Sequence, residues 1–363
     1  MSVTRTSVAV LSASALLLAG CGSDGSDGSD GSDGSVGGVV DAVKPGKSKL
    51  KTDGDEVIQD ADGSGAEVSQ RFFESSDTVV VAAKDRDQQL KAAALAVKLG
   101  APMLTRLDGT DAAVDAEIER LGAKRVINVP GDDAEIGSTE PVASAEKSGD
   151  VAAIAAVDPG NPRDLEMPPV FATALSSRAS VATARAAGAD VQVLAAADPR
   201  ATSQSMRDVT EQDALALGRQ WGSTDNFRER AALADNGELP GGGGLVFPGR
   251  RMVALYGHPY GPDLGVLGEQ DPAASVELAK KFAAEYQPLD DQPIVPAFEV
   301  IASVASEFPG DDGNFSNETP AEDLVPYVDA IVNAGGYAVI DLQPGQGNIL
   351  QQAKLYEDLL KRP

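Results

Sequence analysis

Thr78–Gly131, TVVVAAKDRDQQLKAAALAVKLGAPMLTRLDGTDAAVDAEIERLGAKRVINVPG, alternates the pattern of a strand with the pattern of a helix. Thr78–Ala83 is short, apolar and β-branched, as suits a strand buried on both faces. Leu90, Ala93, Ala94 and Val97 then recur at helical spacing and form one apolar face. Gly100 stands where a left-handed residue ends a helix, and Pro102 blocks its resumption. Met103-Leu104 opens a second strand. Thr110 or Asp111 caps a second helix with a stripe of Val114, Ile118 and Leu121, which Gly122 ends, and Arg125–Val129 makes a third strand. A βαβαβ run with such short connections predicts a parallel sheet with right-handed crossovers.

Working outward, residues 1–20 read as a signal peptide: Arg5 supplies positive charge, and Val8–Leu18 is an apolar run too short to span a bilayer. Leu18–Cys21 resembles the lipobox of bacterial lipoproteins, which implies that Cys21 carries a lipid and becomes the mature N-terminus. Cys21 is the only cysteine, so no disulfide forms within the chain. Residues 21–70 are expected to be a disordered tether, beginning with Ser-Asp-Gly repeats whose aspartates repel one another. A basic knot of Lys44, Lys47, Lys49 and Lys51 interrupts it and is read as a charged linker.

Composition excludes several classes. With 30 Lys+Arg against 56 Asp+Glu the net charge is −26, which disfavours a nucleic-acid partner. Aromatic residues are 4% of the chain, with one tryptophan, Trp221, and one histidine, His258. Such a chain has little material for stacking sugars on aromatic rings or for binding a metal through several imidazoles. No cofactor is expected, apart from divalent cations that would bridge acidic surfaces.

The opening pattern returns from Pro168, with Val170–Ala174 as strand, Ser180–Ala187 as helix and Val191–Ala195 as strand. Leu99-Gly100-Ala101, Leu121-Gly122-Ala123 and Ala187-Gly188-Ala189 all stand at helix-to-strand joints. Between the copies, Val151–Val157 suits strand or helix equally. Residues 198–237 read as helical, with helices over 211–219 and 226–234 around Trp221, itself expected to be a core or interdomain anchor. The segments Val79–Ala83, Ala92–Leu104 and Ile118–Ile127 resemble the type 2 cell-wall-binding repeat of Gram-positive surface proteins, over about 76–133 with a fainter copy at 168–200. The resemblance implies a Rossmann-like α/β fold for residues 71–240 and noncovalent attachment to wall polymer. Lys84, Asp85, Arg86 and Asp87, with Pro130 and Gly131, stand where the family usually has other residues. They fall at strand carboxyl ends, where parallel sheets hold ligands, and are the candidate ligand-binding residues.

Pro240–Gly244 breaks the chain, and its glycines, with no Lys-Ser/Thr after them, read as a hinge rather than a phosphate loop. Residues 241–363 then hold three βα units: strands at 251–256, 294–301 and 337–341, and helices at 272–286, 321–334 and 348–360. Ala254–Pro259, Val295–Glu299 and Val339–Gln343 resemble glycosidase-type (β/α) barrels. Three units do not close an eight-stranded barrel. The segment is expected either to be a truncated barrel, the preferred reading, or to add its strands to the first sheet. Strand-end residues Glu299 and Asp341, with His258, are the candidate catalytic groups, since glycoside hydrolysis uses a pair of carboxyls.

The expectation is therefore an α/β protein on the outer face of the membrane, lipid-anchored through Cys21, whose repeat module binds cell-wall polymer or glycan. A glycoside-cleaving enzyme and a solute-binding lipoprotein of a transporter are the alternatives.

Overall fold

The computed structural model describes residues 43–48, 50, 53–129, 149–160 and 166–362. The expected signal peptide, Cys21, the Ser-Asp-Gly repeats, Pro130 and Gly131 lie outside the described residues. The strands are β1 (Lys47–Ser48), β2 (Glu56–Ile58), β3 (Phe73–Ser75), β4 (Thr78–Ala82), β5 (Met103–Thr105), β6 (Arg125–Val129), β7 (Val170–Thr173), β8 (Val191–Leu194) and β9 (Leu215–Leu217). They are followed by β10 (Arg251–Gly257), β11 (Ile294–Ala305), β12 (Ser316–Glu318) and β13 (Tyr337–Leu342). The α-helices are α1 (Ala66–Phe72), α2 (Arg86–Leu99), α3 (Asp111–Leu121), α4 (Gly149–Ala155), α5 (Arg178–Ala186), α6 (Ser203–Glu211) and α7 (Thr224–Ala232). After these come α8 (Pro272–Tyr286), α9 (Ala321–Asn333), α10 (Ile349–Leu355) and α11 (Glu357–Leu360). The protein is mixed α/β with parallel sheets.

β4 is the centre of a parallel sheet of order β5-β4-β6, pairing Val80 with Met103 on one side and Ile127 on the other. All five of its residues are buried, which is why its apolar run does not alternate. Asp85 caps α2 by accepting from the Gln88 amide at 3.0 Å, and Gly100 closes that helix at φ 61°. Gly122 and Gly188 take φ of 67° and 102° at the other two joints, a region open to glycine and costly to β-carbon residues. Val151–Val157, ambiguous by pattern, lies largely in helix α4.

The second run repeats the first in topology. β7 has β8 on one side and β9 on the other, all parallel, as β4 has β5 and β6. β9 replaces the helix expected over 211–219. Ala214–Leu217 is buried between β7 and β2, and that burial overrides the helical preference of alanine and leucine. Phe171, Trp221 and Phe227 meet beside this sheet, with centroids 6.2 Å (Phe171–Trp221) and 5.6 Å (Trp221–Phe227) apart, so Trp221 is a core residue.

Regular structure begins inside the segment 21–70 that composition marks as a tether. Val57 and Ile58 are buried in β2, which extends the second sheet in register with Ala216 and Leu217. Val68 and Phe72 of α1 are fully buried. A count dominated by Asp and Gly hides these few apolar side chains.

Helix α5 also closes the open edge of β5. The Thr183 hydroxyl accepts from the Met103 amide at 3.0 Å and donates to the Met103 carbonyl at 2.9 Å. One side chain thus replaces a neighbouring strand.

The last four strands form their own sheet and do not complete the earlier ones. β11 pairs in parallel with β10 and β13, and antiparallel with β12. Ser303 pairs with both Leu342 and Glu318, so β12 continues the β10 edge. Phe298, Val300 and Ala302 face Val276 and Ala279 of α8 and Leu324, Val328 and Ile331 of α9 in a separate core. The opposite face is partly open, with Tyr256 41% and Val339 42% exposed. The glycine run is pinned rather than a free hinge. Buried Arg250 donates to the Gly242 carbonyl, to the Leu245 carbonyl at 2.8 Å and to the Tyr337 hydroxyl at 2.6 Å. A β-carbon on Gly241, at φ 86°, would meet Val295 Cγ2 at 2.9 Å.

Thr183→Val keeps the shape of the side chain and leaves the Met103 amide and carbonyl without partners. The expected loss is about 1–3 kcal/mol, read from urea unfolding; an unchanged midpoint would show that α5 does not seal this edge.

Candidate functional site

The carboxyl ends of β4, β5 and β7 and the N-termini of α2 and α5 come together around one carboxylate. Arg86, the first residue of α2, donates to Asp150 from Nε at 2.9 Å and from Nη2 at 2.5 Å. Arg178, the first residue of α5, donates to the same group from Nε at 2.9 Å and Nη2 at 2.5 Å, and from Nη1 to Gln89 Oε1 at 3.0 Å. Asp150 is 1% exposed, and its hydrogen bond holds the Arg86 guanidinium above its ordinary pKa. Each arginine follows its helix cap, Asp85 or Ser177, so the two copies present equivalent residues to α4.

Beside this junction lies a cleft of about 360 Å³ lined by Gln89, Thr105, Leu107, Asp150, Leu175 and Arg178, among others. Asp60, in the segment expected to be tether, bonds to Ser177 of the cleft lining: its Oδ2 accepts from the Ser177 and Ser180 hydroxyls, and Oδ1 from the Gly65 amide at 2.8 Å. Of the residues expected to bind ligand, Lys84 is exposed and lies 3.6 Å from Asp108. Asp85 is spent as a cap, Arg86 joins the junction, and exposed Asp87 contacts Arg86 at 3.3 Å. Asp150, Arg178 and Thr105 were not picked out. The one sequence signal for Arg178 is the shared cap–arginine pair; Asp150 follows an acidic stretch with no motif of its own.

The expected catalytic residues separate into two groups. Glu299 and Asp341 stand on one face of the last sheet, diagonal to each other through the pairs Glu299–Val339 and Ile301–Asp341. Asp341 Oδ2 accepts from the Tyr256 hydroxyl at 3.2 Å and from Gln343 Nε2 at 2.7 Å. Burial first, and then the Asp341 charge, raise the pKa of that phenol. His258 is engaged elsewhere, with Nδ1 accepting from the Tyr260 amide at 3.1 Å and Nε2 2.8 Å from the Thr319 hydroxyl. That acceptor bond places the neutral ring's proton on Nε2, toward Thr319.

Among the described residues, no group of three or more His, Cys, Asp or Glu side chains is placed to hold a metal ion. None of the described helices is long and apolar enough to cross a membrane. Comparison with family models, with curated proteins and with solved structures returns no match.

Two outcomes follow. Asp150→Asn removes the charge that both arginines share, and its expected cost is about 3 kcal/mol. That is the low end for a buried pair, because both guanidinium groups retain some contact with water; a change under ~0.5 kcal/mol in chemical unfolding would contradict the junction. Burial lowers the His258 pKa below 6.5, so the unfolded chain takes up this proton first as pH falls. The ring therefore contributes nothing to stability when it is neutral in both states, and weakens the fold as pH drops through its unfolded range. With one histidine in the chain, its imidazole resonance reports this directly. A native-state pKa at or above the ordinary value would refute it.

Proposed function

We propose that the protein is a membrane-anchored surface lipoprotein whose α/β region associates with cell-wall polymer. In this reading Cys21 carries the lipid, and the two sheets of matching strand order are Rossmann-like copies of a wall-binding repeat. The observation that carries it is the convergence of both copies on one cleft at their strand carboxyl ends, the general position for ligands in parallel sheets. The junction leaves neither of its arginines uncompensated, which suits a protein of net charge −26 that must work beside a charged wall. Leu175, 80% exposed at the cleft, is free to meet a ligand.

The full chain in detergent should pellet with isolated Gram-positive cell walls. Leu175→Asp should weaken that pelleting by about tenfold while the circular dichroism spectrum stays unchanged. Absence of pelleting at every ionic strength and calcium level tested would end this reading.

A second reading rests on the open face of the last sheet. The order β10-β11-β13 is the sequential parallel order of a (β/α) barrel, and the face bearing Tyr256, Glu299 and Asp341 corresponds to a barrel lumen. Two carboxylates there suit glycoside hydrolysis. Loss of glycan cleavage in both Glu299→Gln and Asp341→Asn would favour it, whereas an inactive parent chain or unchanged variants would remove it.

A further inference from the structure

We infer that the cleft between the two copies receives a neutral, N-acetylated sugar unit, an inference that rests on the wall-binding reading and names its ligand class. Size comes first. A cleft of about 360 Å³ is at the small end of ligand pockets, room for one monosaccharide rather than an extended chain.

Charge narrows the class. Arg178 spends Nε and Nη2 on Asp150 and Nη1 on Gln89. Asp60 is committed to Ser177, Ser180 and the Gly65 amide. At the mouths of the two helices the two arginines are thus outnumbered by Asp60, Asp85, Asp87 and Asp150, and neither arginine is left uncompensated. An anionic group entering here gains no uncompensated cation and meets the field of a chain at −26. A cationic amine meets carboxylates already saturated by guanidinium and hydroxyl donors.

One polar group is left over. Thr105 lines the cleft, is 2% exposed, and its hydroxyl has no hydrogen-bond partner among the described residues. A buried hydroxyl without a partner destabilises the free protein, and a ligand acceptor reaching it recovers that loss on binding. Apolar walls accompany it: Leu107, Val151 and Leu175 line the same cleft. A ligand group must therefore offer a carbonyl to a hydroxyl and a methyl to aliphatic side chains within one small volume. An acetamido group has both. A plain hexose lacks the methyl, and a free amino sugar lacks the carbonyl and adds charge.

The test uses the full chain in detergent and ligand-observed NMR with N-acetylglucosamine, glucosamine and glucose. The acetyl methyl should receive the strongest saturation, and the acetylated sugar should bind about tenfold more tightly than either comparator. Thr105→Val should weaken it by a similar ~10-fold factor while leaving the melting temperature unchanged or higher, because it removes a buried hydroxyl without a partner. Thr105→Ser should retain binding. A hydroxyl with only a structural role would lower the melting temperature instead. Equal binding of the three sugars, no binding of the acetylated one, or full binding by Thr105→Val would overturn the inference. Walls stripped of N-acetyl groups separate it from the parent reading. Equal pelleting with native and stripped walls rejects the acetyl ligand and keeps wall binding. Pelleting with neither, beside specific binding of the free acetylated sugar, rejects wall binding and keeps the ligand class.

Discussion

A single carboxylate, on Asp150, holds the two copies of the α/β region in register. At 1% exposure a carboxylate pays heavily for lost water unless cations and hydrogen bonds surround it. Arg86 and Arg178 supply both, one from the first turn of each copy's first helix. The arrangement fixes more than a distance. Arg86 grips both carboxylate oxygens in a two-pronged pair, while Arg178 gives two N–H groups to Oδ2 and a third to Gln89, so each guanidinium is held by more than one bond and its orientation is fixed. The cleft beside the junction takes its shape from these constraints, since Arg178 and Asp150 both line it.

The rest of the interface follows the same economy of parts. Three-stranded sheets with short strands leave edges exposed, and an exposed edge invites unwanted pairing. The first sheet covers one such edge with Thr183, whose hydroxyl serves both backbone groups of Met103. Helices α2 and α5 can pack closely because alanine dominates their facing surfaces, with Ala92, Ala93, Ala96, Ala179, Ala182 and Ala186 all buried. Small side chains bring the helices together, and the few polar groups then decide the register.

What could be read in the sequence was what local chemistry dictates. β4 was legible because a run of β-branched residues suits a strand buried on both faces. The helix ends were legible because Gly100, Gly122 and Gly188 occupy backbone conformations that favour glycine. Helix α8 spans Pro272–Tyr286 as its pattern indicates, with Asp271 capping it. β9 was not legible, since Ala214–Leu217 carries a helical composition and becomes a strand only between β7 and β2. β2 was hidden for a related reason: Val57 and Ile58 sit among Asp and Gly, and their burial depends on a sheet contributed by residues about 160 positions later. The site shows the same division. Asp85 and Arg86 were visible at the end of β4, while Asp150 acquires its role only by being placed between two arginines that are distant in sequence.

Acidic composition and the proposed attachment to a charged wall look contradictory when charge is treated as a property of the whole chain. At the cleft they separate. The net charge of −26 acts over the surface, where salt screens it within about a Debye length. Inside the junction, Arg86 and Arg178 are paired with Asp150, Arg86 also meets exposed Asp87, and Asp60 is held by hydroxyl and amide donors, so no arginine is left uncompensated. The neutral recognition group proposed above would let the surface remain strongly negative without opposing the contact. Lys84 has no part in this arrangement: its amine is exposed and lies 3.6 Å from Asp108. In the proposed contact, selectivity would come from shape and from the Thr105 hydroxyl, which has no partner among the described residues, and long-range attraction would not be required.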